Sequence, residues 1–310
     1  MAHHLVSTQE VAVMLNVAET TIKRWADENI IPCVKTPGGH RKFSLKEVVR
    51  FAETKGYTPT GSQPPPMTPM QLEQLEVGVH TRNYARIADV FKEEALQADR
   101  EGIVTLFLYL YRQHIPLTLI VDEVVRPAFE EIGTKWEKGE IEINQEHAAS
   151  HATVESLIRM ASELHRKGSN GLSVLCACPE EELHEVGLRG LAYSLECEGW
   201  KVHYMGGNAP VETLASFIWA AHPELVCLSV TMGRRRRELF DKLKKLSSQV
   251  HSYDGKVIVG GNYADRLHEQ DIRCDHIARS IQDAVEYSRD AFGLKPGPKK
   301  KSEPKNKLHH

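Results

Sequence analysis

Long apolar runs are absent from this sequence. No stretch approaches the roughly 18 to 20 apolar residues that a membrane-spanning helix needs. The first residues also lack the basic region, the apolar stretch and the small-residue cleavage site of a secretory signal. These absences argue against a membrane or secreted protein and predict a cytoplasmic one. The 310 residues are enough for two or three domains of ordinary size.

Cysteine is scarce, with six residues scattered mostly through apolar segments. This distribution favours buried, reduced thiols over a disulfide framework. Two of the cysteines, Cys176 and Cys178, are spaced as a metal-binding pair could be. Alternate residues of a strand share one face, however, so we interpret this pair as part of a core.

A large excess of positive charge is also missing, since the formal net charge is −3. This value argues against a protein that coats nucleic acid along its whole surface, so any contact with DNA must be local. Residues 1–56 are the place to look, because they hold eight Lys and Arg against six Asp and Glu. The excess is mild and needs folding to concentrate it.

Two breaks divide the chain. The first is rich in proline and contains Pro64-Pro65-Pro66 and Pro69, which predicts an extended spacer. The second is Gly168-Ser169-Asn170-Gly171. We therefore expect five segments: a DNA-binding head (1–56), a linker (57–70), a helical domain (71–168), a strand–helix domain (169–293) and a disordered tail (294–310).

The fold class follows from the rhythm of apolar residues. In 71–168 they recur at helical spacing with few interruptions, which predicts a four-helix bundle. In 169–293 short β-rich runs alternate with helical stretches, which predicts a parallel, Rossmann-like sheet with helices on its faces. Ligands of such sheets bind at the carboxyl ends of the strands, so the loops after the strands are the candidate sites.

The head has the pattern of a winged helix-turn-helix. Thr8 is placed to cap a first amphipathic helix, and a second helix is predicted over 19–27. Four side chains of the second helix remain available for a DNA groove: Thr20, Thr21, Lys23 and Arg24. A Gly-Gly turn then leads to a predicted wing that carries His40, Arg41 and Lys42.

These motifs resemble the DNA-binding head of the MerR family and its excisionase-like relatives. The resemblance covers nearly all of residues 5–54 and includes Gln-Glu-Val-Ala, Thr-Ile-Lys-Arg-Trp and Gly-Gly-His-Arg-Lys-Phe-Ser. It implies operator DNA as a partner. The alternative is a small helical interaction domain with a solvated basic face, and within either domain we interpret Trp25 as a core residue.

A second motif, Glu182-Leu183-His184-Glu185-Val186-Gly187, follows the first predicted strand of the third domain. A loop histidine with a carboxylate two residues earlier can offer one ring nitrogen to a metal while an acceptor holds the other. Gly187 permits a bulky planar ligand to approach the backbone. Taken alone, a loop histidine of this kind is more often simply solvated.

The motif resembles the Asp-x-His-x-x-Gly signature of cobalamin-binding domains of the methionine-synthase type, with Glu182 where Asp is usual. The resemblance implies that His184 is the lower ligand of cobalt. It extends to elements that line the groove for the nucleotide tail of the cofactor, which here are Ser229, Thr231, Gly260 and Gly261. The helical domain would cap the upper face of the corrin.

Trp136, followed after nine residues by Glu146-His147, is similar to the pattern of CarH-type photoreceptors, which are MerR-headed repressors. This resemblance implies adenosylcobalamin as the cofactor, with Trp136 packed on the adenosyl group and Glu146 and His147 shaping its pocket. The alternative for Trp136 is an ordinary bundle residue.

One position departs from the photoreceptor pattern. The residue after the tryptophan is a histidine that binds cobalt after illumination in that family, whereas here it is Glu137. A carboxylate is a poorer partner for low-spin cobalt(III) than imidazole, so the usual light product is not expected. His151, one turn after His147, is a weak candidate to replace it.

The sequence thus leaves three hypotheses. The first is a light-responsive, cobalamin-dependent repressor that acts as a homo-oligomer, either a dimer or a tetramer. The second is a regulator that senses corrinoids without light, which Glu137 favours. The third, a corrinoid methyl carrier, would share residues 70–290, but the DNA-binding head argues against it and against an enzyme.

Overall fold

The computed structural model describes residues 5–15, 17–36, 38–44, 47–48, 50–51, 55, 67–231, 236–262, 268 and 272–294. Most of the predicted linker, and the predicted tail beyond Leu294, lie outside these residues. None of the helices within the described ranges is both long and apolar enough to cross a membrane.

The head is a small α/β unit. Its elements are β1 (Leu5–Ser7), α1 (Thr8–Met14), α2 (Glu19–Asp27), β2 (Cys33–Lys35) and β3 (Arg41–Ser44). The three strands pair antiparallel in the order β1-β3-β2 and cover a core that includes Ile22 and Phe43. Trp25 packs against this core, as expected, with its ring 5.1 Å from that of Phe51.

Helix α1 begins one residue earlier than the sequence suggested. The backbone N–H of Glu10 donates to Ser7 Oγ at 3.2 Å, and the backbone N–H of Ser7 donates to Glu10 Oε2 at 2.7 Å. This reciprocal pair is a capping box. Ser7 therefore takes the capping position that we expected for Thr8, which is already helical.

The second domain is helical throughout. It contains α3 (Pro69–Thr81), α4 (Tyr84–Leu96), α5 (Arg100–Arg112), α6 (Leu117–Leu119), a π-helical turn (Ile120–Val125), α7 (Arg126–Glu137) and α8 (Ile143–Met160). Helix α6, the π turn and α7 form one continuous rod, so α4, α5, this rod and α8 make up the predicted four-helix bundle. Helix α3 packs on α4 as an addition to it.

The predicted linker is wrong at its end. We expected Pro69 to keep the chain extended, but it occupies the first turn of α3, with Thr68 and Gln71 forming a capping box. Proline is well suited to this position because the first backbone N–H groups of a helix have no partner within it.

The third domain is a five-stranded parallel sheet. Its elements are β4 (Ser173–Pro179), α9 (Val186–Cys197), β5 (Lys201–Ala209), α10 (Val211–Ala221), β6 (Leu225–Ser229), α11 (Arg236–His251), β7 (Lys256–Gly260), β8 (His276–Ile277) and α12 (Ile281–Ala291). The strand order is β5-β4-β6-β7-β8. The order reverses at β4, which opens a crevice at the carboxyl ends of β4 and β6. Cys176 and Cys178 are both fully buried in the same cluster under the sheet, as the core interpretation predicted.

The bundle is fixed to the sheet domain by the π-helical turn. Both carboxylate oxygens of Asp122 accept backbone N–H groups at the start of α12, from Ile281 at 2.8 Å and from Gln282 at 2.9 Å. Asp122 is only 4% exposed, and this burial raises the pKa of its carboxyl group. A residue of one domain thus caps a helix of the other.

The first prediction concerns this contact. Replacing Asp122 by Ala removes an acceptor from two buried N–H groups, so we expect the free energy of unfolding to fall by about 2 kcal/mol. Denaturant unfolding followed by circular dichroism measures the change. Glu123→Ala, on the exposed side of the same turn, is the matched control and should leave the transition in place. If Asp122→Ala were as stable as the wild type, the contact of Asp122 with α12 would not stabilise the fold.

Candidate functional site

The centre of the candidate site is a buried carboxylate in the loop after β4. Glu182 is 2% exposed, and its Oε1 lies 2.7 Å from His184 Nδ1 and 2.9 Å from the backbone N of His184. Its Oε2 accepts the backbone N–H of Thr231, which follows β6. One side chain therefore orients the histidine ring and ties together the two loops that flank the crevice.

His184 is held at one nitrogen and open at the other. The hydrogen bond that the His184 ring donates to Glu182 raises the pKa of His184, against an opposing effect of burial, and the charges of Glu182 and Glu146 add to the increase. The side chain is 47% exposed, and Nε2 has no hydrogen-bond partner among the described residues. His184 can therefore act as a ligand to a metal through Nε2.

The bundle contributes to the same site through the first turn of α8. Glu146 lies there, with its carboxylate bonded to Ser150 Oγ at 3.0 Å and to His147 Nδ1 at 2.5 Å. Its electrostatic effect on His184 indicates that the two domains face each other here. His147 is exposed, as is His151 one turn later.

Trp136 and Glu137 end the preceding helix, α7. The Trp136 side chain is 42% exposed, which is unusual for a tryptophan in a bundle, and Glu137 is also exposed. Exposure leaves the indole available for a ligand.

The glycines of the site differ in why glycine occupies each position. Gly261 has φ of +103°, and a Cβ atom there would lie 2.4 Å from the carbonyl oxygen of Val230, so only glycine fits. Gly187 lies in the first turn of α9, where an added Cβ would meet nothing within 4 Å. The packing of the chain itself does not require glycine there, so the open space remains for a ligand. Gly260 accepts the backbone N–H of Val230 at 2.8 Å, which joins the ends of β7 and β6.

Ser229 is the last residue of β6 and is 8% exposed. It lies beside Cys178, whose Sγ also donates to the carbonyl oxygen of His184 at 3.6 Å. Burial raises the pKa of the Cys178 thiol to about 12, which makes it unreactive at neutral pH. The role of Cys178 is therefore structural, through its hydrogen bond to the backbone of His184.

The sequence analysis missed a cluster next to this loop. Tyr204 on β5 donates its hydroxyl to Glu185 Oε2 at 2.7 Å, and the guanidinium carbon of Arg189 lies 3.5 Å from the centre of its ring. Burial raises the pKa of Tyr204. The four-residue spacing of Glu185, the N-cap of α9, and Arg189 in its first turns was a visible signal. Nothing in the sequence pointed to their partner Tyr204 on β5.

In the head, the predicted DNA-contacting residues divide into two groups. Thr20, Lys23, Arg24 and His40 are exposed, and Thr21 and Lys42 are half-buried. Lys23 lies 3.4 Å from Glu19 in a solvent-exposed pair. Arg41 differs, because its Nη2 donates to Asp27 Oδ1 at 2.6 Å.

Comparison with known proteins supports both modules. A family model described as a helix-turn-helix domain matches residues 5–56. Two models described as B12 binding domains match residues 87–159 and 172–286. The chain therefore carries a helix-turn-helix domain followed by B12 binding domains, which correspond to the bundle and the sheet domain.

Two individual proteins are also similar. Over 282 residues the chain is 28% identical to the HTH-type transcriptional repressor CarH of Myxococcus xanthus, covering 87% of this chain and 92% of the relative. The structure of the monomethylamine corrinoid protein of Methanosarcina barkeri aligns with a TM-score of 0.56 at 18% identity, covering 66% of this chain and 98% of the other. At this identity the structural match bears on the fold alone, and it confirms the predicted fold class of bundle and Rossmann-like domain.

The second prediction concerns the charge on Glu182. Replacing it by Gln removes the carboxylate that raises the pKa of His184, so the pKa should move down toward the ordinary histidine value. A titration of the His184 ring signals by NMR in the ligand-free protein measures this shift. Glu185→Gln is the control, because Glu185 is bonded to Tyr204 and not to the imidazole. An unmoved His184 pKa in Glu182→Gln would show that Glu182 does not hold the ring.

Proposed function

We propose that this chain is a cobalamin-dependent transcription regulator. In its most specific form the proposal is a light-responsive repressor that binds operator DNA when loaded with adenosylcobalamin. A helix-turn-helix domain and B12 binding domains in one chain support the general statement, and the similarity to a transcriptional repressor over most of the chain adds to it. The same domain content favours a regulator over an enzyme.

The observation that carries the proposal is the arrangement of Glu182, His184 and Thr231. It lies at the crevice where the strand order of the sheet reverses, and it leaves His184 Nε2 without a hydrogen-bond partner among the described residues. The open space above Gly187 and the exposed indole of Trp136 suit a large, flat ligand. The residues present therefore fit a corrinoid.

Each residue has a part in holding such a ligand. His184 would bind cobalt through Nε2, and Glu182 would keep its ring oriented through Nδ1. Gly187 would leave room for the macrocycle, and four residues at the carboxyl ends of β6 and β7 would line the groove for the nucleotide tail: Ser229, Thr231, Gly260 and Gly261.

The adenosyl form, when bound, would supply a bond between cobalt and carbon that light can break. Trp136, Glu146 and His147 would surround the adenosyl group on the bundle side. The bundle and the sheet domain would then both contact one ligand, so a change in that ligand alters the contacts between them. We propose that this change alters the homo-oligomer, dimer or tetramer, that presents the heads to DNA.

A second candidate function is favoured by one residue. Glu137 stands where the photoreceptors have a histidine, so a stable light product with two histidine ligands is not expected. A regulator that senses the supply of corrinoid in darkness would need no such product. A corrinoid methyl carrier would use the same two domains but has no use for the DNA-binding head.

The third prediction tests the cobalt ligand. His184→Ala should weaken binding of adenosylcobalamin by at least about tenfold, since it removes a coordinating group. It should also shift the absorption spectrum of the bound cofactor, because the imidazole that would bind cobalt is lost. Equilibrium binding and absorption spectroscopy measure both effects. His151→Ala is the control and should resemble the wild type in darkness, because His151 is a candidate ligand only after illumination. A spectrum that is identical in His184→Ala and the wild type would refute the ligand assignment.

The fourth prediction tests light as the signal. A duplex is first selected from a random-sequence library with the adenosylcobalamin-loaded protein in darkness. Gel retardation of that duplex should be strong in darkness and should weaken by at least about tenfold after illumination. Methylcobalamin and hydroxocobalamin, compared in darkness, separate the two candidates. Retardation that depends on the corrinoid but not on light supports the chemical sensor, and retardation that ignores every corrinoid rejects both.

A further inference from the structure

The wing of the head is joined to the second helix by an ion pair. Asp27 is the last residue of α2, and Arg41 is the first residue of β3. Arg41 Nη2 lies 2.6 Å from Asp27 Oδ1, and the side chains are 21% and 55% exposed, respectively. The pair connects the helix that would enter the DNA groove to the hairpin that would lie beside it.

Asp27 is placed against local preference. A carboxylate at the carboxyl end of a helix faces the negative end of the helix dipole, which disfavours it. The only acidic side chain that the first turn of α2 contributes is Glu19, where the dipole favours it. The hydrogen bond from Arg41 nevertheless holds the pKa of Asp27 below its usual value. A partner outside the helix therefore compensates for the position of Asp27.

The β2–β3 hairpin provides a second reason for a carboxylate at position 27. Lys35 on β2 and Arg41 on β3 are direct partners in the antiparallel register, so two cations stand opposite each other in the strand pair next to the turn of the wing. Like charges in this position destabilise a hairpin. The charge of Lys35 also lowers the pKa of Asp27, so the carboxylate interacts favourably with both cations.

Side chains alternate between the two faces of β3, so Arg41 and the adjacent Lys42 point to opposite faces. Arg41 and Phe43 share one face, and Phe43 is fully buried in the core of the head. The Nε atom of Arg41 is itself buried and has no hydrogen-bond partner in the described part of the chain. Lys42 points to the other face, and His40 precedes the strand at the exposed turn. The basic residues of the wing are thus not equivalent.

We propose that Arg41 and Asp27 form a positioning pair, which sets the angle between wing and second helix, and that Arg41 does not itself contact DNA phosphate. Lys42 and His40 keep the contacting role. The proposal rests on the DNA-binding function proposed above and adds to it a division of labour within the wing.

The test compares salt dependence with affinity. Each phosphate contact that is lost lowers the slope of log Kobs against log salt by about one. Asp27→Asn removes a negative charge near DNA and should strengthen binding if charge alone mattered. We expect it instead to weaken binding to the selected duplex by about tenfold, with an unchanged slope. Arg41→Gln should do the same, whereas Lys42→Gln should lower the slope by about one.

The charge swap Asp27→Arg with Arg41→Asp is the decisive variant. It rebuilds the pair, places a cation at the carboxyl end of α2 and puts a carboxylate opposite Lys35. Affinity should return to within about threefold of the wild type, measured on full-length, adenosylcobalamin-loaded protein in darkness. Circular dichroism melting checks that each variant is folded, and if a single variant is not, the swap decides alone.

Three outcomes would overturn the assignment. One is a slope that falls by about one in Arg41→Gln. Another is binding by Asp27→Asn that equals or exceeds the wild type. The third is a folded swap variant that stays as weak as the single variants. If the wild type retards no duplex from the library, DNA binding itself fails, and the role of the pair in DNA binding fails with it.

Discussion

The candidate site depends on the burial of one carboxylate. Removing Glu182 from water is costly, and the cost is offset because three N–H groups converge on it: the ring and the backbone of His184 and the backbone of Thr231. The same bonds fix the tautomer and the orientation of the imidazole, and they fix the distance between the loops after β4 and β6. A loop histidine is ordinarily mobile; this one is set by the sheet beneath it.

Two of the contacts between the bundle and the sheet domain differ in character. At the start of α12 the contact is tight: Asp122 caps the helix, and on α9 an added Cβ at Gly190 would lie 2.9 Å from side-chain atoms of both Val121 and Ile281. At the mouth of the site the contact is electrostatic, between Glu146 and His184. A ligand between these two faces would change the second contact while leaving the first in place, because a closely packed, fully bonded contact is the harder of the two to rearrange.

The sequence was informative wherever one segment carries its own signal. Over 169–293 the alternation of short β-rich runs and helical stretches predicted the parallel sheet and its helices, whereas β8 has only two residues and shows no pattern. Glu182, His184 and Gly187 could be selected because they form one short motif. Thr231 was selected by resemblance, but its bond to Glu182 could not be seen, because 49 residues separate the two. Asp122 and Tyr204 were missed for the same reason: each matters through a partner that only the fold brings near.

Arg41 illustrates the opposite failure, in which composition suggested too much. As one of three consecutive basic residues in a wing it was grouped with His40 and Lys42, yet the period of a strand already separates it from Lys42 and places it with Phe43. The buried face of β3 decides what Arg41 can reach, and Asp27 decides what it binds. The head has a mild excess of positive charge, and one of its cations, Arg41, is paired with Asp27 within the domain, where it helps to fix the geometry of the head. Fewer cations therefore remain on the surfaces of α2 and the wing than the sequence composition suggests. Their relative positions are fixed, however, and recognition of a DNA groove depends more on such positions than on net charge.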